Sequence, residues 1–280
     1  MLVKNLGGHS GCKIFLYEEN GNYFVRKFSA SVEYNSRLEQ QCRKQEEFKS
    51  CSVKVPRVFN RGYDKDGLFY FDMEYIQGIT LAKYISKINV SAIGGIAKII
   101  TDNIDLKNQG TVAESPAFAD KIQDLKSKTT PLRRPVLDAA ISFLEDYNWK
   151  NFSCSLCHGD LTLENIIVKN NDIYFIDFLD SFYDSWLLDI GKLLQDLECM
   201  WSYRKLDRID TNTKLRLVIF KNILLKKLIS VNPEYIRDSY AALLLHLVRI
   251  YPYAAEAATL QYLDEQVERI LKMIREGEVK

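Results

Sequence analysis

The residues of this chain best suited to chemistry lie in His158-Gly159-Asp160-Leu161-Thr162-Leu163-Glu164-Asn165, followed twelve residues after Asn165 by Asp177 in Ile176-Asp177-Phe178. A carboxylate can accept a proton. Carboxylate and amide oxygens, few in number, suit Mg²⁺, a hard cation that keeps part of its water. Each half alone has a plain structural reading, His-Gly-Asp as a turn and Ile-Asp-Phe as a buried strand end. An aspartate between isoleucine and phenylalanine is nonetheless unusual without a partner, because burying an unpaired carboxylate is costly. The eight-residue run, the gap and a hairpin between the halves make the combination specific.

A second set lies near the N-terminus. Gly7-Gly8-His9-Ser10-Gly11 separates two extended stretches, where backbone N–H groups of a glycine-rich loop can cradle phosphate; a plain hairpin turn would use the same residues. Lys27 shares a strand face with Tyr23 and Val25, and Arg26 points the other way.

The His-Gly-Asp run and the Ile-Asp-Phe triplet, taken as a pair, resemble the aminoglycoside phosphotransferase and choline kinase group, relatives of the protein kinases. Leu188-Asp189-Ile190-Gly191 resembles a later segment of that group. The motif order matches over most of the chain, the middle and the C-terminal third matching only in helical character. The resemblance implies an α+β, two-lobed protein-kinase-like fold, with a small antiparallel-sheet nucleotide-binding lobe over 1–77. A larger, mostly helical lobe over 78–280 would carry catalysis and the acceptor. ATP and Mg²⁺ are the implied cofactors, and the implied partner is a small molecule that accepts phosphate on a hydroxyl. Phosphoryl transfer needs positioning and charge neutralisation more than covalent help. Asp160 would then take the hydroxyl proton, Asn165 and Asp177 would ligate the metal, and His158 and Asp189 would support the loop.

The same resemblance makes Gly7, Gly8, Ser10 and Gly11 the phosphate loop and Lys27 the phosphate-binding lysine. A helix carboxylate should pair with that lysine. Glu39 and Glu46 lie on nearly one face and family spacing falls between them, near Gln41 or Cys42; Glu39 is the favoured partner. Glu74 to Ile76 would bind the adenine edge through the backbone. Choline kinases and many relatives carry an acid two positions after the metal-binding aspartate, where this chain has Leu179, with Asp180 and Asp184 following. These acids, with Tyr183 and Trp186, would line an acceptor site or belong to a solvated loop. Choline would call for an aromatic box, for which Tyr183, Trp186, Trp201 and Tyr203 are candidates alongside ordinary core packing. The 176–181 run with Trp201 and Arg204 resembles members of the group associated with bacterial surface-polysaccharide assembly, which implies a sugar, amino sugar or glycan precursor. An inactive kinase-fold nucleotide binder is the alternative, opposed by the joint presence of Lys27, Asp160, Asn165 and Asp177. A protein kinase is opposed by His-Gly-Asp and by the missing long activation segment.

Several elements must position these groups. Alternating β-rich stretches at 2–6, 13–17 and 23–28, with Asn20-Gly21 between the last two, predict hairpin-linked strands. A sparse apolar stripe predicts a helix over 32–49 that ends before Val55-Pro56. Strands follow at 57–62 and 68–75. Beyond Gly78 the pattern is mainly helical, with short strands expected at 154–157, 165–168 and 173–176.

Composition narrows the classes. Thirty-eight Lys and Arg against 37 Asp and Glu argue against a nucleic-acid partner. The most apolar stretch, 241–255, contains His246, Arg249 and Pro252 and is too short to span a bilayer. A cytoplasmic protein with no transmembrane segment is expected. Cys154 and Cys157 form a CxxC without a second pair, so reduced structural thiols are expected rather than a zinc site.

Overall fold

The computed structural model describes residues 1–7, 11–104 and 116–278. They form two compact units, residues 1–81 with 165–180 and residues 82–164 with 181–280.

The first unit contains β1 (Leu2–Asn5), β2 (Lys13–Glu19), β3 (Asn22–Phe28), α1 (Asn35–Glu47), β4 (Val53–Lys54), β5 (Val58–Tyr63), β6 (Phe69–Glu74), β7 (Ile79–Thr80), β8 (Ile166–Lys169) and β9 (Asp172–Phe175). One sheet runs β1-β2-β3-β6-β5, antiparallel throughout. Asn20 and Gly21, at φ 52° and 79°, supply the left-handed pair that a tight hairpin needs. Alternation along β3 sends Val25 into a core with Leu16, Phe69, Phe71 and Met73, covered by Leu38 and Cys42 of α1. On the other face Arg26 forks onto Asp72 at 2.6 and 2.7 Å and lies over the Tyr70 ring.

A second sheet runs β4-β9-β8-β7, with β4 parallel to β9. It joins the hairpin 165–180 to the first unit, because β4 and β7 come from the N-terminal stretch. The division expected at residue 77 therefore differs from the structure, where the first unit extends to Leu81 and takes in Asn165–Asp180.

The second unit is helical: α2 (Leu81–Ile85), α3 (Ile93–Asp102), α4 (Ala117–Thr129), α5 (Pro135–Glu145), α6 (Trp186–Leu197), α7 (Thr211–Val231), α8 (Glu234–Val248) and α9 (Ala257–Arg275). Every residue of α6 except Lys192 is buried. It packs on α8 at Gly191, where a Cβ would stand 2.8 Å from the Ala242 Cβ and 2.9 Å from the Ala242 backbone carbon. The strand expected at 154–157 does not form. Ser155 instead donates its amide to the Asp184 carbonyl and accepts from the Trp186 amide, each at 2.9 Å, two isolated bonds rather than a ladder.

Candidate active site

Within the first unit, β3 and the end of β9 bring together groups 150 residues apart in sequence. Lys27, 2% exposed, donates to Asp177 Oδ1 at 2.5 Å and to Gln41 Oε1 at 3.0 Å. Gln41 Nε2 in turn donates to the Tyr34 hydroxyl at 3.2 Å. Asp177 sits at φ +62°, a left-handed conformation that costs a non-glycine residue free energy and clusters at functional sites.

The β8–β9 hairpin sets Asn165 beside this aspartate. Its turn residues Asn170 and Asn171 have φ 50° and 69°. The ladder ends at the pair Ile166 and Phe175, and one step beyond it the Asn165 carbonyl accepts the Ile176 amide at 3.0 Å. Asn165 and Asp177 thus stand at one hairpin end. Two hard oxygen ligands fit Mg²⁺, whose other positions are filled by water and phosphate. The Lys27 ammonium lies on the same Asp177 carboxylate. Among the described residues, no cluster of three His, Cys, Asp or Glu forms a self-sufficient metal cage.

Gln41, not Glu39, faces the lysine. The buried stripe of α1 is Leu38, Gln41, Cys42 and Gln45, at helical spacing. Glu39 lies off that stripe and accepts from the Tyr63 hydroxyl, and Glu46 pairs with Arg61 at 2.8 Å. The usable signal was glutamine recurring at 41 and 45 inside an apolar stripe. Downstream of Asp177, α1 also holds the chain: Lys44 donates to the Leu179 carbonyl at 2.9 Å and Arg37 pairs with Asp180 at 3.3 Å. Asp180 is therefore engaged by α1.

Of the glycine-rich loop, Gly8 and Ser10 lie outside the described residues. Gly7 donates its amide to Asn5 Oδ1 at 2.9 Å, and Gly7 and Gly11 take φ of 73° and 77°. In the segment expected to bind adenine, the Glu74 amide donates to the Arg57 carbonyl at 3.0 Å and the Ile76 carbonyl accepts from Gly78 at 2.9 Å. Those two backbone groups are already bonded within the chain.

Within the second unit, α6 holds residues 158–163 from one side. Asp189 accepts the His158 amide at 2.6 Å and the Gly159 amide at 2.8 Å. Gly159 has φ +87°, which only glycine adopts without strain. Asp196, fully buried, accepts the Leu163 amide at 2.7 Å and the Ser202 amide and hydroxyl at 2.8 and 2.6 Å. Burial pushes its carboxyl up, against the pull of those hydrogen bonds. The sequence reading missed Asp196; its signal was a second acid seven residues after Asp189 on an otherwise apolar helix. His158 is 2% exposed, and its Nδ1 accepts the Asp160 amide at 3.2 Å, as a loop-shaping residue would. For Asp160 itself, burial pushes the carboxyl up, but Lys192 at 3.0 Å, together with His158 and Arg249, holds the group below the usual aspartate range.

The four aromatic candidates are spent on separate contacts. Tyr183 donates to the Phe152 carbonyl and packs on Phe118, while Trp186 is buried edge-on to Tyr235. Trp201 carries the Arg204 guanidinium 3.8 Å above its ring, and the Tyr203 hydroxyl donates to the Ala82 carbonyl. No aromatic box forms from them. A cleft of about 230 Å³ beside Glu164 is lined by Lys83, Tyr203, Arg208, Asp210 and Thr213 among others. None of the six cysteines is in a disulfide; Cys154 is exposed and Cys157 partly so.

A family profile described as the phosphotransferase enzyme family (APH) matches residues 3–209. Comparison with curated protein sequences found no match. Solved structures that share the fold include three of note. One is a thermostable mutant of aminoglycoside phosphotransferase APH(4)-Ia in a ternary complex with ADP and hygromycin B, at TM-score 0.60 and 14% identity over 97% of this chain and 93% of that one. The second is the amicoumacin kinase hAmiN in complex with AMP-PNP, Ca²⁺ and Ami, at TM-score 0.61 and 15% identity over 98% and 88%. The third is the choline kinase LicA from Streptococcus pneumoniae, at TM-score 0.57 and 18% identity over 96% and 92%.

Proposed function

Since this chain belongs to the phosphotransferase enzyme family, we propose that it moves the γ-phosphoryl group of ATP to a hydroxyl of a sugar, amino sugar or glycan precursor. The observation that carries the reading is Lys27 buried against Asp177 at 2.5 Å, a phosphate-binding cation and a metal-binding carboxylate delivered to one place from opposite ends of the first unit. Asn165 and Asp177 would hold Mg²⁺ in this reading, which would supply neutralisation of charge on the phosphate oxygens. Lys27 then turns from Asp177 towards phosphate. Asp160 orients the acceptor hydroxyl and takes its proton as the oxygen–phosphorus bond forms and the bond to the bridging oxygen of ADP breaks.

A hydroxyl-rich acceptor is favoured by two observations. The aromatic residues that could cage a quaternary ammonium are engaged elsewhere. The cleft beside Glu164 offers charges of both signs, Lys83 and Arg208 with Glu164 and Asp210, on an otherwise mainly apolar lining, a combination that can hydrogen-bond the hydroxyls of a sugar ring and pack against its carbons.

A screen of aminoglycosides, choline, hexoses and amino sugars for ADP release tests the reading, with Asp160→Ala as control. Mg²⁺-dependent thermal stabilisation by ATP and turnover with a sugar-type acceptor are expected, and Asp160→Ala should abolish transfer while nucleotide binding persists. Stabilisation by ATP without turnover on any acceptor would make the chain a kinase-fold nucleotide binder. Turnover retained by Asp160→Ala would remove Asp160 as the base.

A further inference from the structure

One face of α6 runs along the loop 158–163. Asp189, Lys192 and Asp196 stand at helical intervals of three and four, and they meet in turn the amides of His158 and Gly159, the carboxylate of Asp160 and the amide of Leu163. The two outer residues cap backbone. The middle one instead reaches the side chain expected to do the chemistry. Lys192 Nζ lies 3.0 Å from Asp160 Oδ1, with the lysine side chain 15% and the aspartate 23% exposed. Lys192 Nζ also makes a weaker contact to Gln195 Oε1 at 3.4 Å. Lys192 is also the one α6 residue that is not buried, on a helix whose seat is fixed by the close approach of Gly191 to Ala242. An isolated ammonium at such a place costs free energy unless it is paired, and its carboxylate partner is Asp160.

We propose that Lys192 is a positioning residue of the transfer reaction: it holds Oδ1 of Asp160 and thereby turns Oδ2 towards the acceptor hydroxyl. This inference rests on the phosphotransfer reading given above. A side chain with one oxygen clamped by a charge-assisted hydrogen bond keeps a single orientation, so the second oxygen meets the acceptor without a search for the productive rotamer. As the hydroxyl oxygen bonds to phosphorus and the bridging bond to ADP breaks, the hydroxyl proton passes to Oδ2. The ammonium beside Oδ1 then favours release of that proton to solvent, which returns Asp160 to its starting form. His158 from the loop and Arg249 and His246 from the end of α8 also act on this pair.

Lys192→Met, which keeps the length of the stem, and Lys192→Arg, which keeps the charge, test the proposal. ATP turnover is measured with the best acceptor of the screen, or with water as acceptor where none is found. The methionine variant should lose roughly tenfold or more in kcat with KM for ATP within about twofold, and the arginine variant should recover part of the loss. Wild-type kcat in the methionine variant, or an arginine variant as damaged as methionine, would overturn the proposal. A crystal structure of Lys192→Met supplies a readout that needs no turnover: Asp160 should leave its orientation or lose order, and an unchanged Asp160 would sink the idea. A wild-type chain with no turnover above Asp160→Ala would count against phosphotransfer itself, and the crystal structure would still decide what Lys192 does to Asp160.

Discussion

Lys27 meets a neutral amide and a carboxylate where a second carboxylate was expected. With Gln41 at 3.0 Å and Asp177 at 2.5 Å, the charge on the lysine is balanced by the residue expected to bind metal, and the helix partner adds a hydrogen bond without adding charge. Gln41→Ala should therefore weaken ATP-dependent turnover by about 1 kcal/mol, the net worth of a typical hydrogen bond, or several-fold in kcat/KM. Glu39→Ala should change it less than twofold, because Glu39 meets Tyr63 and not the lysine. Steady-state kinetics on the two variants separate the assignments, and a larger loss for Glu39→Ala would reverse them. Lys27 itself was legible from strand alternation, which separates it from Arg26. The identity of its helix partner was not, because glutamates two residues before and five after Gln41 competed for the role on spacing alone.

Helix α6 is the element that shapes the loop. Its apolar positions bury it almost completely, and its three polar side chains on one face meet the loop residues 158–163 and Ser202. The arrangement depends on how closely α6 approaches α8. Gly191→Ala would put a methyl 2.8 Å from the Ala242 Cβ and 2.9 Å from His246 Cδ2, closer than real side chains pack. That variant should lose about 1–3 kcal/mol of stability, the usual cost of overpacking, read as a lower urea midpoint with an unchanged slope. Asp196→Ala should lose stability as well, since it strands the buried Leu163 amide at about 1–3 kcal/mol and frees the partly buried Ser202 amide. A melting point equal to wild type would show that the loop finds other partners. Asp189 was readable from its place in a motif. Asp196 belongs to no motif, and only the packed helix reveals that both acids serve the same loop.

Over the whole chain, charge is nearly balanced, with 38 basic and 37 acidic side chains, and no described helix is long and apolar enough to cross a membrane. His246 ties folding to pH. It is 1% exposed, its Nε2–H donates to the Leu188 carbonyl at 2.9 Å, and Arg249 approaches its Nδ1 at 3.4 Å. Burial, with Lys192 and Arg249 nearby, holds its pKa well below the usual 6.5. The unfolded chain therefore takes up a proton near pH 6.5 that the folded chain refuses. The contribution of His246 to stability is complete above that pH and declines below it, by up to about 1.4 kcal/mol per pH unit. Buried carboxyls raised by burial, Asp196 and Asp238, act in the opposite sense, so the comparison must be with His246→Gln. The gap between wild type and variant should change by that amount between pH 7 and pH 5.5 in thermal melts, with wild type losing more; parallel curves would remove His246 as the cause. The sequence by itself determined the kind of fold and the loop, because strand alternation, Asn-Gly turn chemistry and the run from His158 to Asp177 are local patterns that survive without coordinates. Tertiary structure alone decided that Gln41 faces Lys27, that Asp196 caps the loop and that Lys192 holds Asp160. Those pairings join separate elements, and their register is set by how helices and strands pack rather than by residue spacing.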